Sequence, residues 1–241
     1  MIQLHVLGRT DLYAADQGAA ADLLAQPRPL ALLVYLAVAH SGQYARRDSL
    51  VGLFWAETGQ EQARASLRRL LHTIRRTLGP DVIDTRGDEE VRVNTAALWC
   101  DAAECSACFA DGRLDRAIAL YKGPMLPGFI LAGAHGFQDW IDMARRQLNR
   151  EAVKAAVKLA EAHAAANEHS RAGDLAEFIT VIAPDFDDEH QLRKLLRVLH
   201  RQGNRVAALR LFDDFSRRLH EAYGTTPAAE TRNLISEIRS G

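Results

Sequence analysis

Residues 61–79, EQARASLRRLLHTIRRTLG, constrain the fold strongly because they predict an amphipathic helix with two different faces. At about 100° per residue, the apolar side chains of this segment fall on one stripe, which has to pack against a core. The members of the stripe are Ala63, Leu67, Leu70, Leu71, Ile74 and Leu78. The sequence therefore predicts a surface helix that other elements support along one side.

The opposite face of the predicted helix is basic. Ala65, Arg69, His72 and Arg76 lie opposite the apolar stripe, and Arg64, Arg68 and Arg75 flank them. With five arginines and one acid, the segment has a formal charge of +4 in a chain whose net charge is −1. A short Arg-rich helix suits the major groove of DNA, where Arg donates to guanine edges and to phosphates. An ordinary solvated helix face is the alternative interpretation.

The composition is that of a globular protein. With 241 residues, 48% of them hydrophobic and 25% charged, the chain is long enough for one large or two ordinary domains. No run approaches the roughly eighteen apolar residues of a membrane span, and the N-terminus does not resemble a secretory signal. We therefore expect a cytoplasmic protein with no membrane partner. The near-neutral charge disfavours indiscriminate binding to polyanions but permits DNA binding through a local basic face.

The three cysteines, Cys100, Cys105 and Cys108, have the spacing that begins a plant-type iron–sulfur site. Such a site needs a fourth thiolate, and the sequence has none. The surrounding DAAECSACFADG predicts a helix in which Cys105 and Cys108 are small, semi-buried residues. Zinc-site, serine-triad and phosphate-loop motifs are also absent from the sequence. We expect no catalysis, no metal and no cofactor; the alternative, an enzyme or redox protein built on these cysteines, predicts bound iron or zinc.

Strand-like segments begin the chain. Alternating apolar residues predict a strand over residues 2–7, and a short second strand around residues 12–13 completes a hairpin. A weaker third strand includes Leu23 and Leu24.

Helices and a hairpin follow. PLALLVYLAVAH predicts a buried helix, and DSLVGLFW predicts a second helix with Asp48 or Ser49 as its N-cap. The basic helix comes next and ends at a Gly-Pro pair. Residues 82–93 predict a β-hairpin with Arg86 near its tip and Arg92 facing outward.

This order of elements predicts a winged helix-turn-helix, in which two helices support a third that enters the major groove. The hairpin then reaches the adjacent DNA backbone or minor groove. Arg86 contacts phosphate or the minor groove, or is part of a flexible tip. Arg75 and Arg92 contact DNA, or pair with Asp84 or Glu90 instead.

From about residue 101 onward the pattern predicts helices only. Their expected bounds are 102–110, 113–121, 136–165, 168–182, 188–202, 204–222 and 228–239. KGPMLPGF between them predicts a loop whose apolar Met125, Leu126 and Phe129 are covered. Trp99 and Trp140 lie in patterned apolar segments and are expected to be packing residues.

A weak internal repeat accompanies these helices. A Gly or Asn at a turn precedes a small residue by five positions in three places, which are Gly112 with Ala117, Asn167 with Ala172 and Gly203 with Ala208. Pro184 lies twelve residues after Ala172. This arrangement is typical of tetratricopeptide repeats, which stack helix pairs into a superhelix.

The whole chain resembles the SARP family of bacterial regulators, the Streptomyces antibiotic regulatory proteins, which join an OmpR-type winged helix to a bacterial transcriptional activation domain. Six stretches carry the resemblance in the expected order, namely RPLALLVYLAVAHSGQYARRDSLVGLFW, ARASLRRLLHTIRRTLG, VRVNTAALWCD, LYKGPMLPGF, FQDWIDMARRQL and RRLHEAYGTTPAAETRNLISEI. The resemblance implies promoter binding at direct repeats as a homodimer, with transcriptional activation through contact with RNA polymerase. It maps the recognition helix onto residues 61–78.

These observations predict a mainly α protein with two domains. A winged helix-turn-helix domain occupies residues 1–98, and an all-α, tetratricopeptide-like activation domain occupies residues 99–241. The expected partners are double-stranded DNA, a second copy of the chain and RNA polymerase. The expected DNA-binding residues are Arg46, Arg47, Arg64, Arg68, Arg69, His72, Arg75, Arg76 and Arg86.

Two alternatives remain open from the sequence. The chain is a protein-interaction scaffold whose winged helix no longer binds DNA, or it is a fragment of a larger signalling regulator. Sequence-specific retardation of DNA distinguishes the first alternative from a regulator.

Overall fold

A computed structural model describes residues 1–183 and 188–240 of the chain. The chain folds into two compact units, Met1–Leu148 and Asn149–Gly241. This division differs from the predicted domain boundary at residues 98 and 99. A compact unit of the fold need not coincide with a domain defined by sequence. The boundary between residues 98 and 99 therefore stays a prediction.

The first compact unit contains both sheets and the helices that support them. Its elements are β1 (Ile2–His5), β2 (Asp11–Tyr13), α1 (Gln17–Leu24), α2 (Pro27–Ala39), β3 (Ala45–Arg46), α3 (Arg47–Phe54), α4 (Gln60–Leu78), a 3-10 turn (Pro80–Val82), β4 (Ile83–Arg86), β5 (Glu90–Val93), β6 (Leu98–Cys100), α5 (Asp101–Ala110), α6 (Leu114–Leu120) and the first part of α7 (His135–Ala165).

The first sheet has the strand order β2-β1-β6. β1 and β2 are antiparallel, with Leu4 opposite Leu12, which confirms the predicted hairpin. β6 pairs with β1 in parallel. The buried carboxylate of Asp101 then accepts hydrogen bonds from the backbone N–H groups of Val6 and Leu7 at 2.9 and 3.1 Å. The chain leaving β6 is thereby fastened to the chain leaving β1.

The third strand predicted at Leu23 and Leu24 is wrong, because both residues lie in α1. Asp16 caps this helix by accepting from the N–H of Ala19 at 3.0 Å. Ala20 and Leu23, three residues apart, are both fully buried. One buried face at helical spacing and an N-cap together favour a helix over an edge strand.

The winged helix-turn-helix matches its predicted order. α2 is buried along most of its length, and α3 and α4 pack against each other. β4 and β5 form the predicted antiparallel hairpin, with Arg86 opposite Glu90, and β5 also pairs with β3. The predicted N-cap of α3 is wrong. The helix begins at Arg47, its N-cap position is Arg46 without a side-chain hydrogen bond, and Asp48 lies in the first turn.

The start of α7 packs against α2 and α3 within the first compact unit. The ring of Trp140 meets that of Tyr35 at 4.8 Å in an edge contact, and Phe137 lies 5.2 Å from Phe54. Trp99 lies 5.2 Å from the ring of His5. Both tryptophans are therefore packing residues, as predicted.

Two arginines hold the loop between α6 and α7. Arg145 donates to the carbonyls of Met125 and Phe129 at 2.8 and 3.4 Å and also to that of Leu126. Arg28 donates to the carbonyl of Ala132 at 3.1 Å. Met125 and Leu126 are fully buried and Phe129 is half-buried, which confirms the prediction of a covered loop.

The second compact unit is helical throughout the part of it that is described. It contains the remainder of α7, then α8 (His169–Ile182), α9 (Glu189–Arg201), α10 (Arg205–Tyr223) and α11 (Ala229–Ser240). The predicted helix bounds agree with these to within one residue. Pro184, the proline of the predicted repeat, lies outside the described residues.

The small residues of the repeat behave as predicted. Gly112, Asn167 and Gly203 have left-handed backbone conformations, with φ of 73°, 60° and 70°, at the turns between successive helices. The alanines five positions later are all fully buried where the helices pack; they are Ala117, Ala172 and Ala208. The fold is therefore mainly α, with a winged helix-turn-helix followed by paired helices.

Candidate nucleic-acid interface

The apolar face of α4 packs into the core of the first compact unit. Ala63, Leu67, Leu71 and Ile74 are at most 2% exposed, and Leu70 and Leu78 are half-buried. The helix packs against α1, α2 and α3. Burial of this stripe fixes the rotation of the helix about its axis, and hence which side chains face solvent.

The predicted basic face of α4 points into solvent. Its exposed members are Arg64, Arg68, Arg69, His72 and Arg76. The thirteen positions from Arg64 to Arg76 cover about 18 Å at 1.5 Å per residue. A helix with a convex basic face of this length fits the major groove of DNA.

Three of the exposed basic residues are unengaged. Among residues 1–183 and 188–240, Arg68, His72 and Arg76 make no hydrogen bond or ion pair within the chain. Arg69 has one neutral partner, since its Nη2 donates to the hydroxyl of Ser66 at 3.2 Å. These side chains are available to an external ligand without breaking strong contacts.

The other two arginines of α4 have partners. Arg64 Nη2 donates to Asp48 Oδ1 of α3 at 2.7 Å, and both side chains are nearly half-exposed. Arg75 is half-buried and donates through Nε and Nη2 to the backbone carbonyl of Ile83, at 3.2 and 3.0 Å. The structure thus places Arg75 as a link between α4 and the hairpin, and neither Asp84 nor Glu90 is its partner.

The hairpin, or wing, is fastened by stacked side chains. The guanidinium carbons of Arg86 and Arg92 lie 4.5 and 4.7 Å from the centre of the Tyr44 ring. Arg86 is also ion-paired with Glu90, which lies opposite it in the strand register. The structure thus places Arg86 at the end of β4, one residue before the turn at Gly87, with a partly engaged guanidinium.

Arg92 is engaged as well. It pairs with Asp84 at 2.9 Å, which confirms one of the alternatives derived from the sequence. The sequence pattern alone does not identify Tyr44 as part of this cluster. Its position just before β3, which pairs with β5, is the signal that identifies it once the sheet is known.

Arg46 and Arg47 lie where α3 begins beside the wing. Arg46 is exposed, whereas Arg47 is half-buried and its backbone N–H donates to the carbonyl of Glu89 at 2.8 Å. The Nε of Arg47 is buried without a hydrogen-bond partner in the described part of the chain. A buried guanidinium N–H normally has an acceptor, so the Nε of Arg47 is an unsatisfied donor beside the wing.

The cysteines lie away from this surface, in β6 and α5. All three are buried free thiols. Burial raises the pKa of Cys100 and of Cys105 to about 12, and it also raises the pKa of Cys108. Within the described ranges, no three His, Cys, Asp or Glu side chains come together as a metal site.

In the described part of the chain, no single helix is both long enough and apolar enough to cross a bilayer. α1 and α2 together have the length and apolar composition of a membrane span, but the two helices are bent by 97° relative to each other. Eight residues of α2 are buried inside the first compact unit.

The chain is similar to known proteins along most of its length. Residues 95–239 match the family model described as bacterial transcriptional activator domain. The chain is 25% identical over 226 residues to the regulatory protein AfsR of Streptomyces griseus, covering 88% of this chain. That alignment spans 22% of the length of AfsR.

A solved structure shares the fold. It is that of Mycobacterium tuberculosis EmbR in complex with a low-affinity phosphopeptide, with a TM-score of 0.64 and 18% identity. The match covers 99% of this chain and 65% of that one. The winged helix followed by a helical domain, as predicted from the sequence, is thus an arrangement found in another protein.

Proposed function

Because the chain belongs to the bacterial transcriptional activator domain family, as a transcriptional regulator of the SARP type, we propose that it binds specific DNA sequences through the exposed face of α4. The α4 side chains assigned to base edges are Arg64, Arg68, Arg69, His72 and Arg76. Its role in transcription regulation follows from the family, and the contact between α4 and DNA is what we propose.

One observation carries this proposal above all others. α4 buries its apolar stripe and directs five basic side chains outward, three of them without partners in the described chain. Arg presents two parallel donors to the O6 and N7 of guanine, and each such contact is worth roughly 1–3 kcal/mol of discrimination against other bases. A helix supported on one side and basic on the other has the form of a recognition helix.

The surroundings of α4 supply contacts that hold the DNA backbone. Arg46 and Arg47 lie at the start of α3, and Arg86 lies on the wing. Phosphate contacts fix the register of a protein on DNA without reading its sequence. We assign Arg46, Arg47 and Arg86 to phosphates, and Arg75 to the support of the wing.

The remaining parts of the proposal rest on the family. The chain acts in the cytoplasm, associated with the nucleoid when bound, as a homodimer on a direct repeat. The helical region contacts RNA polymerase and activates transcription. The absence of a metal, a cofactor or an active site belongs to the same proposal.

Selection of genomic fragments by the purified protein, at two salt concentrations, tests the proposed function. The variant is Arg68→Ala/Arg69→Ala, which removes two exposed arginines from the face. Its control is Arg116→Ala/Arg146→Ala, which removes the same charge from exposed positions of the first compact unit outside α4 and the wing. Wild type and the control are expected to enrich one repeated motif, and the α4 variant is expected to lose it.

The opposite result would favour a different class of protein. If wild type recovers fragments without sequence preference, or recovers none, α4 has a solvated basic face. The chain is then a helical interaction scaffold with a winged helix that does not read DNA.

A further inference from the structure

Asp48 is an acidic residue on a surface that is otherwise suited to a polyanion. It lies in the first turn of α3 with its side chain 45% exposed, and its Oδ1 accepts from Nη2 of Arg64 at 2.7 Å. A carboxylate close to DNA phosphates repels them and weakens binding, so Asp48 is expected to serve another purpose. The contact with Arg64 indicates that purpose.

The geometry points to Asp48 as a positioning residue that holds the guanidinium of Arg64 for a guanine in the major groove, an inference that rests on the proposed DNA binding. Arg64 is the arginine of α4 that bonds a carboxylate in the described part of the chain. Arg64 lies in the N-terminal half of α4, where a recognition helix approaches base edges. Specificity at one base pair therefore depends on an acidic residue of the preceding helix.

The donor arrangement of Arg64 supports this role. A guanidinium has five N–H donors in a fixed planar fork, and one bond from Nη2 to Asp48 leaves a complete two-donor edge. That edge matches the O6 and N7 acceptors of guanine. Because a free Arg side chain has many rotamers, a contact that restricts it lowers the entropy lost when the guanine is bound.

A second acidic residue, Glu89, provides a control that separates the positioning of the Arg64 guanidinium from a general effect of negative charge. Asp48 raises the pKa of Arg64 most, and the negative charge of Glu89, at the turn of the wing, adds a smaller increase. Among the described residues the Glu89 side chain makes no hydrogen bond. Glu89→Ala therefore removes a negative charge near Arg64 and leaves the Asp48 contact intact.

The experiment measures dissociation constants on a selected site and on versions in which each G·C pair is changed in turn. 7-Deazaguanine, which lacks the N7 acceptor, is placed at the guanine that Arg64 reads. Arg64→Ala is expected to abolish discrimination at one G·C pair, worth roughly 5- to 150-fold. Asp48→Ala is expected to reduce discrimination at the same pair, by about 3- to 10-fold.

Further variants identify the mechanism. Asp48→Ala/Arg64→Ala is expected to discriminate no less than Arg64→Ala alone, because the carboxylate acts through the arginine. Asp48→Asn keeps an acceptor oxygen and is expected to lie between wild type and Asp48→Ala. Glu89→Ala is expected to tighten binding to all sequences alike and to leave discrimination unchanged.

Three results would overturn the inference. The first is that Asp48→Ala leaves discrimination unchanged at the G·C pair that Arg64 reads. The second is that Asp48→Ala loses discrimination equally at every base pair. The third is that Glu89→Ala loses as much discrimination at that G·C pair as Asp48→Ala does. Thermal unfolding of each variant identifies any general loss of structure. A wild-type protein without sequence preference would instead refute the proposed function itself, so the two failures are distinguishable.

Discussion

At the scale of single residues, burial and partners separate the arginines of this protein into different roles. Arg75 donates a hydrogen bond to the carbonyl of Ile83. Arg92 forms an ion pair with Asp84 and lies over the ring of Tyr44. Arg68 and Arg76 have no partner among the described residues. The helical pattern predicted which side chains of α4 face outward. It could not predict partners contributed by α3 and the wing, because those contacts depend on tertiary structure.

Leu71→Ala tests the inner face of α4. Leu71 is 2% exposed, and truncation of such a core leucine is expected to lower the free energy of unfolding by about 2–5 kcal/mol. Arg68→Ala, on the exposed face of the same helix, is expected to change it by less than about 0.5 kcal/mol. Urea denaturation followed by circular dichroism measures both. Equal midpoints for wild type and Leu71→Ala would mean that α4 presents a different face to the core.

The cysteines are expected to be chemically inert in the folded protein. Burial raises the pKa of Cys100 and Cys105 to about 12, so the reactive thiolate is scarce near pH 8. A disulfide reagent is expected to label the three free thiols slowly in buffer and rapidly in denaturant. Fast labelling of folded protein, or iron or zinc in the purified protein, would restore the redox alternative.

At the scale of elements, backbone conformation at the turns determines where helices end. Gly203 follows α9 with φ of 70°, and Asn167 follows α7 with φ of 60°. Gly and Asn tolerate this left-handed conformation, and the buried alanines five positions later allow the next helix to approach closely. These short-range signals explain why the helix bounds were predictable. α1 was missed because its pattern is short, and its burial depends on α4.

Two substitutions of Gly by Ala in the second compact unit are expected to have opposite effects. Gly203→Ala places a side chain at positive φ and is expected to lower stability by about 1–2 kcal/mol. Gly173 lies within α8, and a Cβ there would meet Gln202 at an ordinary 3.9 Å. Gly173→Ala is expected to raise stability by about 0.5–1 kcal/mol. If both substitutions shift the denaturant midpoint in the same direction relative to wild type, the left-handed turn assigned to Gly203 is contradicted.

At the scale of the molecule, the winged helix is extended by the residues that follow it. β6 pairs with β1, Asp101 accepts from Val6 and Leu7, and Phe137 packs on Phe54. Sequence patterns predicted most of the elements in order, though not α1, β3 or β6, because periodicity and turn residues are local. They could not predict that the first compact unit continues to Leu148, because the interactions responsible join residues far apart in sequence.

Fragments of the chain test this organisation. A fragment of residues 1–98 lacks most of β6, the Asp101 carboxylate and the aromatic contacts of α7. It is expected to melt more than about 10 °C below a fragment of residues 1–148, because several kcal/mol of packing are lost. Thermal unfolding by circular dichroism makes the comparison. Equal melting temperatures would show that the first 98 residues fold independently.

Guanine N7 methylation protection, on the genomic fragment that the protein enriches most, tests the central claim most directly because N7 lies in the major groove. Insertion of α4 predicts protected guanines in both copies of a direct repeat, centred about one helical turn apart. The protection is expected to disappear with Arg68→Ala/Arg69→Ala and to persist with Arg116→Ala/Arg146→Ala. Wild-type protein that binds the fragment and leaves every guanine N7 open to methylation would show that α4 does not enter the major groove.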